Sequence, residues 1–197
     1  MVEQYQPFTL NQHLAGGCPW DLNGTRDGLR ILPPIEGCPE DGFARGNGHA
    51  IFQQLPLLES AGAQNVIVMS ADHLYQLNPR PVLAQHVERG SDLTVVTTQI
   101  DEDASRYGVV RTGRDGAVKD YDYKPDQPAS QKVATEIFVF PVKALRATME
   151  KLLDGVNRSD TEAVGEALGG LGSTMMVLCL LRLRGFGVSR LRLSVSV

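Results

Sequence analysis

Apolar positions fall along this chain in two rhythms. Ile51, Leu55, Leu58 and Ala61 recur at helical spacing, with Asn47 as a cap, Gly62 as a stop and Pro56 expected to kink the middle. The run Val66-Ile67-Val68-Met69-Ser70 that follows is continuous rather than periodic, as a strand covered on both faces requires. A second helix is predicted over 79–89, with Val82, Leu83 and Val87 turned inward and Gly90 ending it, and it leads into a strand over 93–98. Helix, strand, helix, strand predicts parallel crossovers.

The pattern then changes hand. Two short strands over 109–112 and 118–121 flank Gly113-Arg114-Asp115-Gly116, whose Asp-Gly pair is a strong hairpin signal, so an antiparallel flap is expected to interrupt the parallel series. Residues 136–140 read as a further buried strand, and 143–153 as an amphipathic helix with Leu145, Met149, Leu152 and Leu153 on one side. Upstream, Thr9 and Gln12 have capping-box spacing and open a short helix that should stop at Gly16-Gly17. Residues 29–32 can form a strand before Pro33-Pro34, and 37–48 are dense in glycine and turn formers, a segment expected to need a ligand to order it. Beyond Gly155 the chain turns rich in Leu, Arg and Gly without clear turn chemistry. Arg182, Arg184, Arg190 and Arg192, with no acidic residue after Glu166, give that end a basic bias suited to phosphate or to a solvated face.

Composition narrows the function classes. With 197 residues, 42% apolar and 21% charged, the chain can bury one substantial core. A formal charge of -4 provides no electrostatic footprint for nucleic acid. Cys18, Cys38 and Cys179 are odd in number and widely spaced, which predicts neither a disulfide framework nor a zinc site and fits a reducing cytoplasm. The amino terminus lacks the pattern of a secretory signal. The longest apolar stretch, 175–181, falls far short of the roughly 20 residues that span a bilayer.

Candidate chemistry begins where the first buried strand ends. Open α/β sheets gather ligands beyond the carboxyl ends of their strands, and the 66–70 run stops at Ala71-Asp72-His73. A carboxylate at Asp72 is placed to hold a metal or a ribose, or else to cap the following turn.

Five segments in series carry a resemblance: Trp20-Asp21-Leu22, Arg45-Gly46-Asn47-Gly48-His49-Ala50, Ala71-Asp72-His73-Leu74-Tyr75, Ser105-Arg106-Tyr107-Gly108-Val109 and Tyr123-Lys124-Pro125. In this order and spacing the chain resembles the sugar-nucleotide pyrophosphorylases, and among them the bacterial glucose-1-phosphate adenylyltransferases. The resemblance implies an α/β fold, a Rossmann-like nucleotidyltransferase domain with a mostly parallel central sheet and the hairpin as a flap, incomplete at its N-terminus. It implies transfer of an adenylyl group from ATP to glucose 1-phosphate on Mg2+, giving ADP-glucose and pyrophosphate for glycogen or a related glucan. Asp72 matches the metal-holding carboxylate, and Lys124 the ammonium that meets the sugar phosphate; these two are the implied catalytic pair. Gly108 and Tyr123 join Lys124 in the implied glucose 1-phosphate site, Tyr123 standing where the family has a glutamate. Arg45, Gly46, Asn47 and Gly48 fall in the stretch near the nucleotide base, where Asn47, Gly48 and His49 depart from the usual residues.

Two further departures set the expected domain plan. The family's glycine-rich triphosphate loop precedes these motifs and has no counterpart after Met1, and its later Trp-Arg-Asp-Val-Gly stretch and β-helix domain have none after Leu153. Residues 1–154 are therefore expected to be a partial nucleotidyltransferase domain, and 155–197 an atypical tail, disordered or frame-shifted. Without the loop's backbone donors, weak turnover is expected. The homotetramer of the family would lack part of its support. The alternatives are a non-catalytic sugar-phosphate binder or regulatory subunit, and a transferase for another sugar or base.

Overall fold

In a computed structural model, which describes residues 1–3, 7–24, 28–32, 47–71, 73–155, 176–181 and 193–196, helix and strand alternate much as the apolar pattern requires. For residues 7, 47, 49 and everything from 151 onward the description is of the backbone alone. Helix α1 spans Pro7–Leu14, so Thr9 lies inside it rather than capping it, the start having moved back to a proline that is well tolerated in a first turn. Gly16 and Gly17, at φ 62 and 86, end it as expected. Residues 29–32 contribute only a parallel bridge, Val2 to Leu32. Helix α2 spans Asn47–Ser60 and strand β1 Asn65–Ser70, and the predicted α3 matches at both ends, Pro79–Arg89. Its boundaries follow from local chemistry: the Asn78 side chain accepts from the Arg80 N–H at 3.1 Å, and Gly90 at φ 56 returns its N–H to the last turn.

Strand β2 covers Leu93–Gln99, β3 Gly108–Thr112 and β4 Val118–Tyr123. The hairpin forms where Asp-Gly predicted it, with Gly116 at φ 77 and the Gly113 N–H on the Ala117 carbonyl at 2.8 Å. Strand β5, Lys132–Pro141, is twice the predicted length, and α4 spans Val142–Gly155. From the tail, β6 (Met176–Leu181) and β7 (Leu193–Ser196) join the sheet.

Alternation along β1 sorts the core into two layers. Val66 and Val68 face α2 and α4, meeting Ile51, Leu55, Leu58, Leu145 and Met149; Ile67 faces the opposite way, toward Val82 and Leu83 of α3. Val87, expected to point inward, is 38% exposed, and His86 takes its place in the buried stripe at 2%. Spacing explains this, since 79, 82, 83 and 86 share one face of a 3.6-residue helix and 87 lies off it.

The mostly parallel sheet is not what forms. Five of the six ladders among the described residues are antiparallel, and only β2 with β7 is parallel. The crossover β1–α3–β2 does leave β1 and β2 pointing the same way, but β5 lies between them, antiparallel to both. Periodicity reports the direction of consecutive strands; it carries nothing about a later strand that inserts between them.

Candidate functional site

The candidate site forms where the edge of β5 changes partner. Strand β2 pairs along β5 from Thr94 opposite Val139 to Gln99 opposite Lys132, so β1 and β3 must share the other edge. Strand β1 holds it from Pro141 down to Ile137, and β3 meets it again at Val133. The carboxyl end of β1 and the first residue of β3, Gly108, thus converge on the three residues between, Ala134, Thr135 and Glu136. This is the kind of crevice in which strand ends present ligand-binding groups.

On the β3–β4 side, Gly108 lies opposite Tyr123 in the ladder. A Cβ at Gly108 would overlap the Tyr121 hydroxyl and lie 2.8 Å from its Cζ, so the absence of a side chain here is what lets the phenol lie against the strand. Burial, then the charges of Tyr123 and Glu136, push the Tyr121 hydroxyl up to about 12, and at neutral pH it stays a donor and acceptor. Tyr123 carries Lys124, whose Nζ stands 5.0 Å from the phenol ring centroid, a cation held over an aromatic face. Lys124 itself sits at φ 48, its N–H donated to the Tyr107 carbonyl at 3.0 Å. A left-handed non-glycine residue is uncommon and tends to mark a functional position.

On the β1 side, His73 follows the strand end, with Nδ1 3.9 Å from Oε2 of Glu136 and its ring 5.7 Å from that of Tyr75. In the sequence Glu136 reads only as the first residue of an apolar strand. Its register tells another story: Val95 faces Phe138 and Thr97 faces Ala134, so Thr135, Glu136 and Ile137 stand opposite Val96 alone. The Thr135 hydroxyl closes the bulge on the Val96 carbonyl at 3.0 Å, and Glu136 takes φ 58. Bulges of this kind re-aim a side chain. The one available signal was an acidic residue in the middle of Val133-Ala134-Thr135-Glu136-Ile137-Phe138.

Of the residues singled out in the sequence, Gly108, Tyr123 and Lys124 come together. Gly48 is buried in the first turn of α2, while Asp72, Arg45, Gly46 and the side chain of Asn47 lie outside the described residues. Among the described residues no group of three or more His, Cys, Asp or Glu converges to hold a metal. A divalent cation carried in on phosphates asks for only one or two protein carboxylates, so a cluster of three is not required of such a site.

A profile of the nucleotidyl transferase family matches residues 1–169. The chain belongs to the nucleotidyl transferase family. Among curated relatives of this chain, the glucose-1-phosphate adenylyltransferase of Lachnospira eligens is 34% identical over 155 residues, 78% of this chain and 37% of that protein. Those of Thermomicrobium roseum and Thermotoga neapolitana are 37% and 34% identical, over 71% and 76% of this chain and 33% and 36% of theirs. The chain spans about a third of the length of the curated relatives it matches. Two solved structures share the α/β fold. They are HddC from Yersinia pseudotuberculosis (TM-score 0.55, 18% identity, 74% of this chain and 56% of that one) and a Bacillus anthracis protein described as a glucose-1-phosphate thymidylyltransferase in complex with sucrose (TM-score 0.60, 13% identity, 89% and 68%). No described helix of the chain is long and apolar enough to cross a membrane.

Proposed function

We propose that this chain carries the sugar-phosphate half of a glucose-1-phosphate adenylyltransferase site, and that the reaction it serves joins ATP and glucose 1-phosphate into ADP-glucose and pyrophosphate in the cytoplasm. The observation that carries the reading is the meeting of Gly108, Tyr123 and Lys124 at the crevice where β1 ends. The curated names of the relatives support the choice of substrates. Residues 1–154 form the transferase domain in this reading, and 155–197 are appended to it, contributing β6 and β7 to the sheet.

A phosphate oxygen of the sugar attacks the α-phosphorus of ATP in line, the bond to the β-phosphoryl oxygen breaks, and pyrophosphate leaves. Positioning and charge neutralisation supply the catalysis, with no covalent intermediate on the protein. Lys124 meets the sugar phosphate as a compact point charge, and its left-handed backbone, pinned to Tyr107, fixes where the ammonium starts from. Tyr121 and Tyr123 offer hydroxyls to the sugar, and Gly108 leaves room for the first of them. Asp72 would hold Mg2+, which, when bound, neutralises charge on the phosphoryl oxygens. The stretch Arg45, Gly46, Asn47 and Gly48 would lie toward the base. A tetramer, the family's assembly, is the partner state to look for.

Titration calorimetry with the whole chain tests this. Glucose 1-phosphate should bind, and Lys124→Ala should weaken it about ten- to hundredfold, the range of one charged hydrogen bond. A wild-type chain that binds no glucose 1-phosphate, or a Lys124→Ala chain that binds it equally well, sinks the reading.

A further inference from the structure

An L side chain populates the left-handed region reluctantly because its Cβ crowds the following carbonyl. Glu136 is nevertheless held there, at φ 58, in the one stretch where three residues of β5 oppose a single residue of β2. Two residues away on either side, Ala134 and Phe138 are buried in one and the same core layer. A regular strand would have laid side chain 136 among those apolar groups. The bulge instead brings the carboxylate to the segment that follows β1, where it stays 29% exposed and Oε2 stands 3.9 Å from His73 Nδ1. That separation is an electrostatic approach and not a hydrogen bond, so His73 leaves the acceptor sites of the carboxylate available to a ligand.

The surroundings say which ligand. From β5 across β3 to the end of β4 lie the Glu136 carboxylate, the Tyr121 phenol packed against Gly108, Tyr123 opposite Gly108 in the ladder, and the Lys124 ammonium over the Tyr123 ring. A bare phosphate suits the lysine end and is repelled at the glutamate end. A neutral polyhydroxylated ring with a phosphate on one side satisfies both, since ring hydroxyls donate to a carboxylate and the phosphate accepts from the ammonium.

We propose that Glu136 is a specificity-determining residue: its carboxylate accepts hydrogen bonds from ring hydroxyls of a hexose 1-phosphate whose phosphate lies at Lys124. This rests on the sugar-phosphate reading above. The bulge is then the device that delivers the carboxylate, which accounts for an acidic residue in a left-handed position inside a buried strand.

Calorimetry with two probes, glucose 1-phosphate and inorganic phosphate, separates this role from a structural one. Two variants are needed, Glu136→Gln, which keeps the shape, and Glu136→Gly, which also relieves the left-handed backbone. Wild-type protein should bind glucose 1-phosphate more tightly than inorganic phosphate. Both variants should lose about ten- to hundredfold in glucose 1-phosphate affinity, with inorganic phosphate binding unchanged or tightened and the thermal midpoint of Glu136→Gly at or above that of the wild type. If both variants bind glucose 1-phosphate as tightly as the wild type, or weaken the two probes equally, the role of Glu136 is overturned while the sugar-phosphate site stands. If the wild-type chain binds neither probe, it is the sugar-phosphate reading that fails.

Discussion

The two halves of β5 are built on different principles. From Ile137 to Pro141 the strand keeps unbroken register with β1, β2 pairs its other edge at Phe138 and Val139, and Ile137, Phe138 and Val139 are almost wholly buried. From Lys132 to Glu136 the same strand bulges, puts a charged residue in a left-handed conformation and exchanges β1 for β3 along one edge. The first half is held by burial and the second by a few directed contacts. Chemistry-bearing side chains collect at the second, because a broken ladder frees side chains from the alternation that a regular strand imposes.

Four outcomes would break or sharpen that contrast. The largest belongs to the clamped half: Phe138→Ala empties space between α2, α4 and the sheet and should cost about 3–5 kcal/mol in chemical denaturation. A loss below about 1 kcal/mol would mean that this half is not the tightly packed one.

The next concerns the helix face over the same half. His86 is buried beside Thr94, which pairs with Val139, and its Nδ1 lies 2.8 Å from the Thr94 hydroxyl. Burial pulls its pKa down from 6.5 to about 4, partly opposed by the charge of Asp92. The folded state therefore holds this imidazole neutral between about pH 6.5 and 4 while the unfolded chain takes up a proton. No stability is lost above pH 6.5, and about 3 kcal/mol should be lost as the pH falls through that window. Denaturation at pH 7 and at pH 4.5 should show the drop, and His86→Leu should flatten it; an equal drop in the variant would assign the effect to other groups.

Lys124→Ala belongs to the bulged half's side of the crevice, and its effect should fall on binding rather than folding. Glucose 1-phosphate binding should weaken by about 1.5–3 kcal/mol, with the denaturation midpoint unchanged; a matching loss of stability would make Lys124 structural. The smallest expected effect is the most diagnostic. Glu136→Gly should stabilise the fold by up to about 1 kcal/mol, since glycine accepts the left-handed backbone that glutamate resists. A destabilised variant would show that the glutamate is held by its contacts and not tolerated for its chemistry.

The parts of the molecule that could be read in advance are those governed by neighbours in sequence. Helix α3 was legible because its apolar spacing and the stop at Gly90 are local signals, and the hairpin because Asp-Gly dictates its own turn. Gly108, Tyr123 and Lys124 were visible through their motifs, and the sheet brings them into adjacency by pairing residues 15 apart, Gly108 with Tyr123. Glu136 was not visible. Its conformation depends on a register shift against β2, some 40 residues upstream, and on the point at which β1 gives way to β3. Tyr123, where the family resemblance implies a glutamate, and Glu136, on β5 with β3 between the two strands, show why a motif alone is a poor guide to where a carboxylate ends up.

Local order, then, was written in the chain itself: the period of its apolar residues, its caps and its turn glycines decided which segments coil and which extend, because those choices are settled within a few residues. Tertiary structure alone decided that β5 lies between β1 and β2, that the sheet is mostly antiparallel, and that a glutamate from its interior reaches the crevice. Strand neighbours are chosen by which faces and edges remain to be covered once the layers assemble, and no single segment carries that information.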